Sequence, residues 1–542
     1  MSKYIFITGG VVSNLGKGIT GVALGRILIE RGLKVNFQRF DPRLNFDLGL
    51  INPIKYGEVF VSHDGVESAL ALGYIERFLD IESDKYNYLT TGKILADMLI
   101  NNDSNADENT GMAIQQIPHM TSEIKKLMKK YDGTCDVVIV EVGGTVGDID
   151  NAIYMEAVRQ MQYELGEDNY LHIHCTLVPY MESTEELKTK PTQRSVKDLN
   201  TYGLKPNVIV CRTNKDIELD EHLKKKIAMY CNLRNSTYVI QNKDAKNIYE
   251  VPLNLAEEGL DRIAIGHLNL PCTSLDMSNW KKMVDTMNDE DLPAVNIAIV
   301  GKYTENQYSY LSVTDAIRHA CFQNKYRAKI TLISSEDIEM YGEKEILRPY
   351  DGIVVPGGFG SGGIEGKILA AKYARENKVP FIGLCLGMQI SCIEFARNVA
   401  GLSDATSTEF DAHTTCPVIH KMEESKVNNY EKSMRLGDYK CKLLDGSLVR
   451  RLYGKPNIIE RHRHRYEFNN EYKEKFEELG MIFSGVNEDR NLVEVIEYAD
   501  HPFYVASQFH PEFKSRPYRP HPLFVGFVNG AISNIKKPTK LK

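Results

Sequence analysis

FIGLCLGMQI, residues Phe381–Ile390, places a thiol where an apolar run meets a helical one. The preceding VPFIGL (Val379–Leu384) reads as a buried strand. The following GMQISCIEFARNVAG has helical spacing and ends at Gly401. A strand that turns sharply into a helix at Cys385 lifts the sulfur to the crest of the turn, beside free helix N–H groups. Gly383 and Gly387 allow the tight backbone that such a turn needs. A single cysteine is more often a buried structural residue than a nucleophile. The chemical reading therefore requires a base elsewhere and an acceptor for whatever the thiol releases.

Working outward, the same strand–turn–helix grammar recurs. VNIAIVGKY begins at Val295, and AKITLISS and DGIVVPGGFG precede the cysteine strand, which predicts an α/β domain over 295–542. At the other end Tyr4–Thr8 (YIFIT) is a strand, TGVALGRILIERG a helix and Leu33–Phe37 a second strand. CDVVIVEVGG, LHIHCTLVPY and NVIVCRTN continue the pattern, so a parallel-sheet domain is expected over 1–270. Residues 271–294, polar and acidic with the only tryptophan, read as a connection holding one helix.

Bulk composition agrees with two domains. The chain has 542 residues, 42% hydrophobic and 26% charged, with a net charge of -7. That charge gives no reason to expect nucleic acid or an acidic membrane as partner. Ten cysteines stand singly without CxxC pairs, which suggests reduced thiols and a cytoplasmic location. No signal peptide or membrane span is expected, and KKPTKLK at the end reads as a frayed tail.

The thiol finds its base near the end of the second domain. FYVASQFHPEF (Phe503–Phe513) reads as a strand closing on His510, with Glu512 on the same face of the extended chain. A Cys–His–Glu set activates sulfur for attack on a carbonyl. VVPGGFGSGG (Val354–Gly363) adds a glycine turn whose N–H groups suit an oxyanion. A lone HPE is usually a satisfied surface histidine, but three such pieces at strand ends are together specific.

PGGFG, GLCLGMQ and FHPE, in that order, resemble a class I glutamine amidotransferase domain, which hydrolyses glutamine to glutamate and ammonia. The resemblance implies Cys385 as nucleophile, His510 as base and Glu512 as its orienter. It places Gly358 and Leu386 at the oxyanion, and Gln389, Glu409 (in STEF) and Arg465 (in RHRHRYE) at the glutamine.

The ammonia acceptor belongs to the first domain. GGVVSNLGKGIT (Gly9–Thr20) is a glycine loop between strand and helix, with Lys17 at the helix start, suited to nucleotide phosphates. It is not a strict Walker motif, since five residues separate Gly10 from Gly16 and Gly18 replaces the usual Ser or Thr. YIFITGGVVSNLGKGI, YGEVFVSHDG, YIERFLDI, TTGKI, IPHMTSEIK, EVGGTVGDID, LVPYMESTEELKTKPTQRSVKDL and MRLG resemble the CTP synthase family along essentially the whole chain. That family phosphorylates O4 of UTP with ATP and displaces the phosphate with ammonia from glutamine. The resemblance implies two α/β domains, a P-loop-like parallel-sheet synthase domain and an amidotransferase domain, in a homotetramer. It places ATP at Ser13, Asn14, Leu15, Gly16, Lys17, Gly18, Ile19 and Asp41. UTP or CTP would lie at Ser13, Asp148, Asp150, Lys188, Lys190, Gln193 and Lys226, and Mg²⁺ at Glu141.

Departures from the family cluster in the synthase half. GVESALALGYIERF has Ala69 and Ala71 where two aspartates are usual, one a magnesium ligand, and a methyl cannot bind a hard cation. Glu67 or Asp64 could replace them only with backbone movement or through a water. Arg39 replaces a lysine, DPR replaces DPY, and NADENTG (105–111) replaces a basic loop. Gly362 replaces an arginine implicated in GTP activation, which puts that activation in doubt. Three readings stay open at this stage: UTP amination, amination of another nucleotide-like acceptor, and a nucleotide-binding subunit partnering a true CTP synthase.

Overall fold

A computed structural model describes residues 1–535 except 13–14, 47, 50, 105–114, 214–216 and 423–433, and not the side chains of 101–104. Ser13, Asn14, the NADENTG loop and the terminal basic tail thus lie outside the described residues. The chain divides into two compact units. One comprises Met1–Leu48 and Tyr74–Asn288, the other Gly49–Gly73 and Asp289–Lys542. Among the described residues no helix is long and apolar enough to cross a membrane.

The first unit is built on seven strands: β1 (Lys3–Gly9), β2 (Val35–Asp41), β3 (Tyr88–Thr90), β4 (Val137–Val142), β5 (Tyr170–Leu177), β6 (Val208–Thr213) and β7 (Val239–Lys243). All pair in parallel, in the order β7-β6-β5-β1-β4-β2-β3. Both faces are covered, so β4 reads as an unbroken apolar run interrupted only by Glu141, and every one of its residues is buried. The second strand starts later than Leu33–Phe37, because Leu33 N–H still closes on Leu28 O at the helix end. It also continues through Arg39 and Asp41, charges that find partners on β4 and β3. The helix Ser278–Asn288, expected within the connection, groups with this unit. Trp280 is buried there, donating Nε1–H to Tyr249 O at 2.7 Å and lying 5.7 Å from the Phe78 ring.

Among the described residues the main sheet of the second unit has nine strands: β8 (Ala294–Gly301), β9 (Arg327–Ser334), β10 (Gly352–Val355), β11 (Phe381–Leu384), β12 (Arg435–Leu443), β13 (Asn457–His464), β14 (Met481–Asn487), β15 (Leu492–Tyr498) and β16 (Tyr504–Ser507). Their order is β9-β8-β10-β11-β16-β15-β14-β12-β13. The first five are parallel and the rest antiparallel, so the thiol strand β11 and the histidine strand β16 lie side by side.

Residues 49–73, which the sequence reading places in the N-terminal domain, group with this second unit. They form a short antiparallel pair, Phe60–Val61 with Glu67–Ser68. The Phe60 ring packs 4.7 Å from Phe513, and Arg461 donates to Val61 O at 3.1 Å. Glu58 accepts from Ser312 N–H at 2.8 Å.

Candidate functional site

In the second unit Cys385 sits between β11 and the helix α1 (Leu386–Asn398), at φ 52°, ψ −100°. A non-glycine residue held at positive φ costs about 1–3 kcal/mol, and such strain marks the sharp turn that presents a nucleophile. The turn is pinned by Cys385 N–H donating to Ser507 O on β16 at 2.7 Å. Gly387 allows the helix to start against β10, since a Cβ there would fall 2.1 Å from Val355 O.

His510 donates from Nδ1 to Glu512 Oε1 at 2.7 Å. The contact is the expected one, but the route differs. The strand stops at Ser507 and Pro511–Lys514 forms one 3-10 turn, which swings Glu512 back under the ring; alternation along a strand is not involved. The ring stacks on Phe513 at 5.0 Å. Burial alone would lower the imidazole pKa, but the Glu512 carboxylate and then the Cys385 sulfur outweigh it and lift it to about 10. The ring therefore holds its proton at neutral pH. Its buried Nε2 has no hydrogen-bond partner at ordinary distance, and the nearby Cys385 sulfur helps to raise the ring's pKa. Gly357 makes room for both groups, because a Cβ there would lie 2.7 Å from His510 Cε1 and 3.5 Å from Cys385 Cβ.

Gly358 lies against Leu386, with a Cβ at 358 falling 3.4 Å from Leu386 Cδ2, so the two oxyanion candidates adjoin. Glu409 accepts from Gly360 N–H at 2.8 Å on the same loop. Burial raises its pKa, while that N–H and the charge of Arg465 work the other way. Gln389 is buried and spends its amide hydrogens inside the protein, on Tyr466 O at 2.9 Å and Gln508 Oε1 at 3.3 Å. Gln508 escaped the sequence reading, yet it donates to Cys385 Sγ at 3.7 Å. Its only sequence signal is its place two residues before His510.

In the first unit the glycine loop leads into the helix Lys17–Glu30, with Gly16 at φ 90°. Lys17 Nζ donates to Gly144 O. Burial lowers its pKa and Glu141 opposes that. Leu15 is buried, and Gly18 borders the charged cluster, since a Cβ there would meet Glu141 Oε2 at 3.2 Å. Ile19 follows on the same helix. Asp41 accepts from Tyr88 OH at 2.6 Å. Asp148 and Asp150 are exposed. Lys188 pairs with Glu186, whose carboxyl also feels Lys226, so these two lysines flank one carboxylate. Lys190 opens the helix Lys190–Thr201, and Gln193 donates to Thr189 Oγ1 at 3.2 Å. Ser195 of that helix bonds His174 Nε2 at 2.8 Å, and His174 Nδ1 lies 2.8 Å from Thr8 Oγ1 on β1. Burial pushes the His174 pKa far down, so a neutral buried chain ties this helix to the glycine-loop strand.

The candidate metal ligand Glu141 does not stand ready for a cation. Arg39 is its register partner on β2 and donates from Nη1 to both carboxylate oxygens, at 2.9 and 3.0 Å. The two aspartates usual in the family are Ala69 and Ala71. Neither suggested substitute is idle: Glu67 pairs with Arg463 at 2.6 Å, and Asp64 accepts from Ser62 Oγ at 2.6 Å. Among the described residues no group of three His, Cys, Asp or Glu could hold a metal ion. A guanidinium across both oxygens of the one remaining carboxylate does not fit a magnesium site.

A strained thiol, an imidazole held by a carboxylate and an adjoining glycine loop define a glutaminase half of the class I amidotransferase kind. The family model described as glutamine amidotransferase class-I matches residues 307–529, and the one described as CTP synthase N-terminus matches residues 3–270. A CTP synthase of Desulfitobacterium hafniense is 50% identical over 98% of this chain and 100% of its own length. That of Bacillus subtilis is 48% identical over 98% of this chain and 99% of its own. A solved glutaminase domain of Trypanosoma brucei CTPS with bound acivicin is 37% identical, covering 44% of this chain and 94% of its own, at a TM-score of 0.42. The chain belongs to the CTP synthase family of glutamine-dependent amidoligases.

Proposed function

We propose that this chain converts UTP to CTP, using ATP and ammonia released from glutamine. What supports it most is the full-length kinship with CTP synthases together with the assembled Cys385–His510–Glu512 set. Cys385 sulfur attacks the glutamine carboxamide carbon. The developing oxyanion is met by backbone N–H groups of Gly358 and Leu386. The proton His510 carries is the one the Cys385 sulfur has given up; His510 passes it to the departing ammonia, then takes a proton from the water that opens the thioester and returns it to the sulfur as glutamate leaves. Glu409 and Arg465 hold the amino and carboxylate ends of the substrate.

In the first unit the γ-phosphoryl of ATP passes to O4 of the uracil ring, because a ring oxygen leaves poorly until phosphorylated. Ammonia then displaces that phosphate at C4. Lys17 meets the phosphates of ATP, and Lys188, Lys190, Gln193 and Lys226 those of UTP. Family members use ATP with Mg²⁺, but no step is assigned to a cation here, since Arg39 already covers Glu141. That same pair favours a second reading, an acceptor other than UTP. The test is incubation with UTP, ATP, Mg²⁺ and ammonium chloride without glutamine, following CTP and ADP by chromatography. CTP formation supports the first reading. Neither CTP nor ADP, with glutamine hydrolysis intact, supports the second.

A further inference from the structure

Glu67 lies in the stretch that has lost its aspartates, yet its partners are those of the glutaminase. Its Oε1 accepts from Arg463 Nε at 2.6 Å, and both side chains are largely buried. Arg463 Nη2 donates to Gly49 O at 2.9 Å. Gly49 is bare at the point where the carboxylate lies: a Cβ there would fall 2.0 Å from Glu67 Oε2. The same arginine reaches the reaction centre twice. Its guanidinium stands 4.7 Å over the ring of Phe359, the residue after the oxyanion candidate Gly358. Its carbonyl oxygen accepts from Cys385 Sγ at 3.5 Å.

A guanidinium free to swing would leave the Phe359 ring of the PGGFG loop without a fixed neighbour, whereas the Arg463 carbonyl beside the sulfur stays fixed in β13. A bidentate-capable guanidinium is held in one geometry only by a fixed anion and a fixed carbonyl. Glu67 and Gly49 O supply these two. We propose that Glu67 is a positioning residue of the glutaminase, acting through the Arg463 side chain on the oxyanion loop, and is not a metal ligand of the synthase half. This rests on the glutaminase reading above.

The experiment compares the unchanged chain with Glu67→Gln, Glu67→Asp and Gly49→Ala, all checked by thermal melting. Glutamine hydrolysis by Glu67→Gln should fall about tenfold in kcat with KM changed less than about twofold, since the loss is one of alignment at the reacting atoms. Glu67→Asp, which keeps the charge, should recover part of that rate. Gly49→Ala leaves residue 67 intact but displaces its carboxylate, and should copy the Glu67→Gln profile. The ammonium-driven reaction should be unchanged in all three. Full glutaminase activity in Glu67→Gln overturns the proposal. So does an equal fall of the glutamine- and ammonium-driven rates, which a metal-ligand role would produce. If the unchanged chain hydrolyses no glutamine, the glutaminase reading itself fails, and the two failures stay distinct.

Discussion

Replacing Glu512 by Gln tests what holds the imidazole at work. The 2.7 Å contact from His510 Nδ1 to Glu512 Oε1 is a hydrogen bond to a charged group inside a buried site. Such a bond contributes about 1.5–3 kcal/mol, which corresponds to a pKa change of about 1–2 units. The amide keeps the shape and removes the anion that favours the imidazolium, so the pKa of His510 should drop from about 10 by that amount. A loss of about 2 kcal/mol expressed in the transition state lowers kcat by roughly thirtyfold, with KM little changed. Glutamate release measured from pH 6 to 10.5 should show the alkaline limb moved down by about 1–2 units. The stability linkage has a definite sign. A histidine whose folded pKa is raised stabilises fully below its unfolded value near 6.5 and loses that contribution as pH climbs through about 10. The melting deficit of Glu512→Gln should therefore be largest near pH 6 and shrink toward pH 10. An alkaline limb that stays in place, or a deficit that grows with pH, would refute the reasoning.

Cys385→Ala should abolish glutamine hydrolysis and spare any ammonium-driven reaction, and equal loss of both would sink the division of labour between the units. Gly387→Ala should destabilise the second unit by more than about 2 kcal/mol, because its methyl would sit 2.1 Å from Val355 O, a backbone atom that cannot step aside. Urea denaturation followed by loss of glutaminase activity measures it, and an unchanged midpoint counts against the packing described. Arg39→Leu strands the buried Glu141 carboxylate and should cost the first unit about 3–5 kcal/mol. The single Trp280, buried in that unit, reports its unfolding by fluorescence, and a loss under 1 kcal/mol, roughly the worth of an exposed pair, would show the ion pair to be dispensable.

The turn at Cys385, the His510–Glu512 contact and the glycine turns were legible because each is a local event, a strand ending where the chain must bend. Glu512 was assigned the right partner by the wrong geometry, since nothing local shows that the strand stops three residues before His510. Strand order is a long-range property, so Arg39 could be seen to keep a charge but not to face Glu141, 102 residues away. Glu67 and Arg463, 396 residues apart, and Gln508 beside the sulfur were invisible for the same reason. The two alanines, by contrast, stood out at once, because a missing oxygen is a property of the residue itself.

The excursion of residues 49–73 into the second unit bears on how the protein can be dissected. A glutaminase cut out at Asp289 would look natural from the chain order, but it would discard the anion that holds Arg463, the ring that covers Phe513 and the carbonyl that receives Arg461. Such a fragment would expose an apolar face and leave Arg463 without its carboxylate beside the reaction centre. Supplying a peptide of residues 49–73 in trans, or splicing it onto the fragment by a short loop, is the way to make that half stand alone.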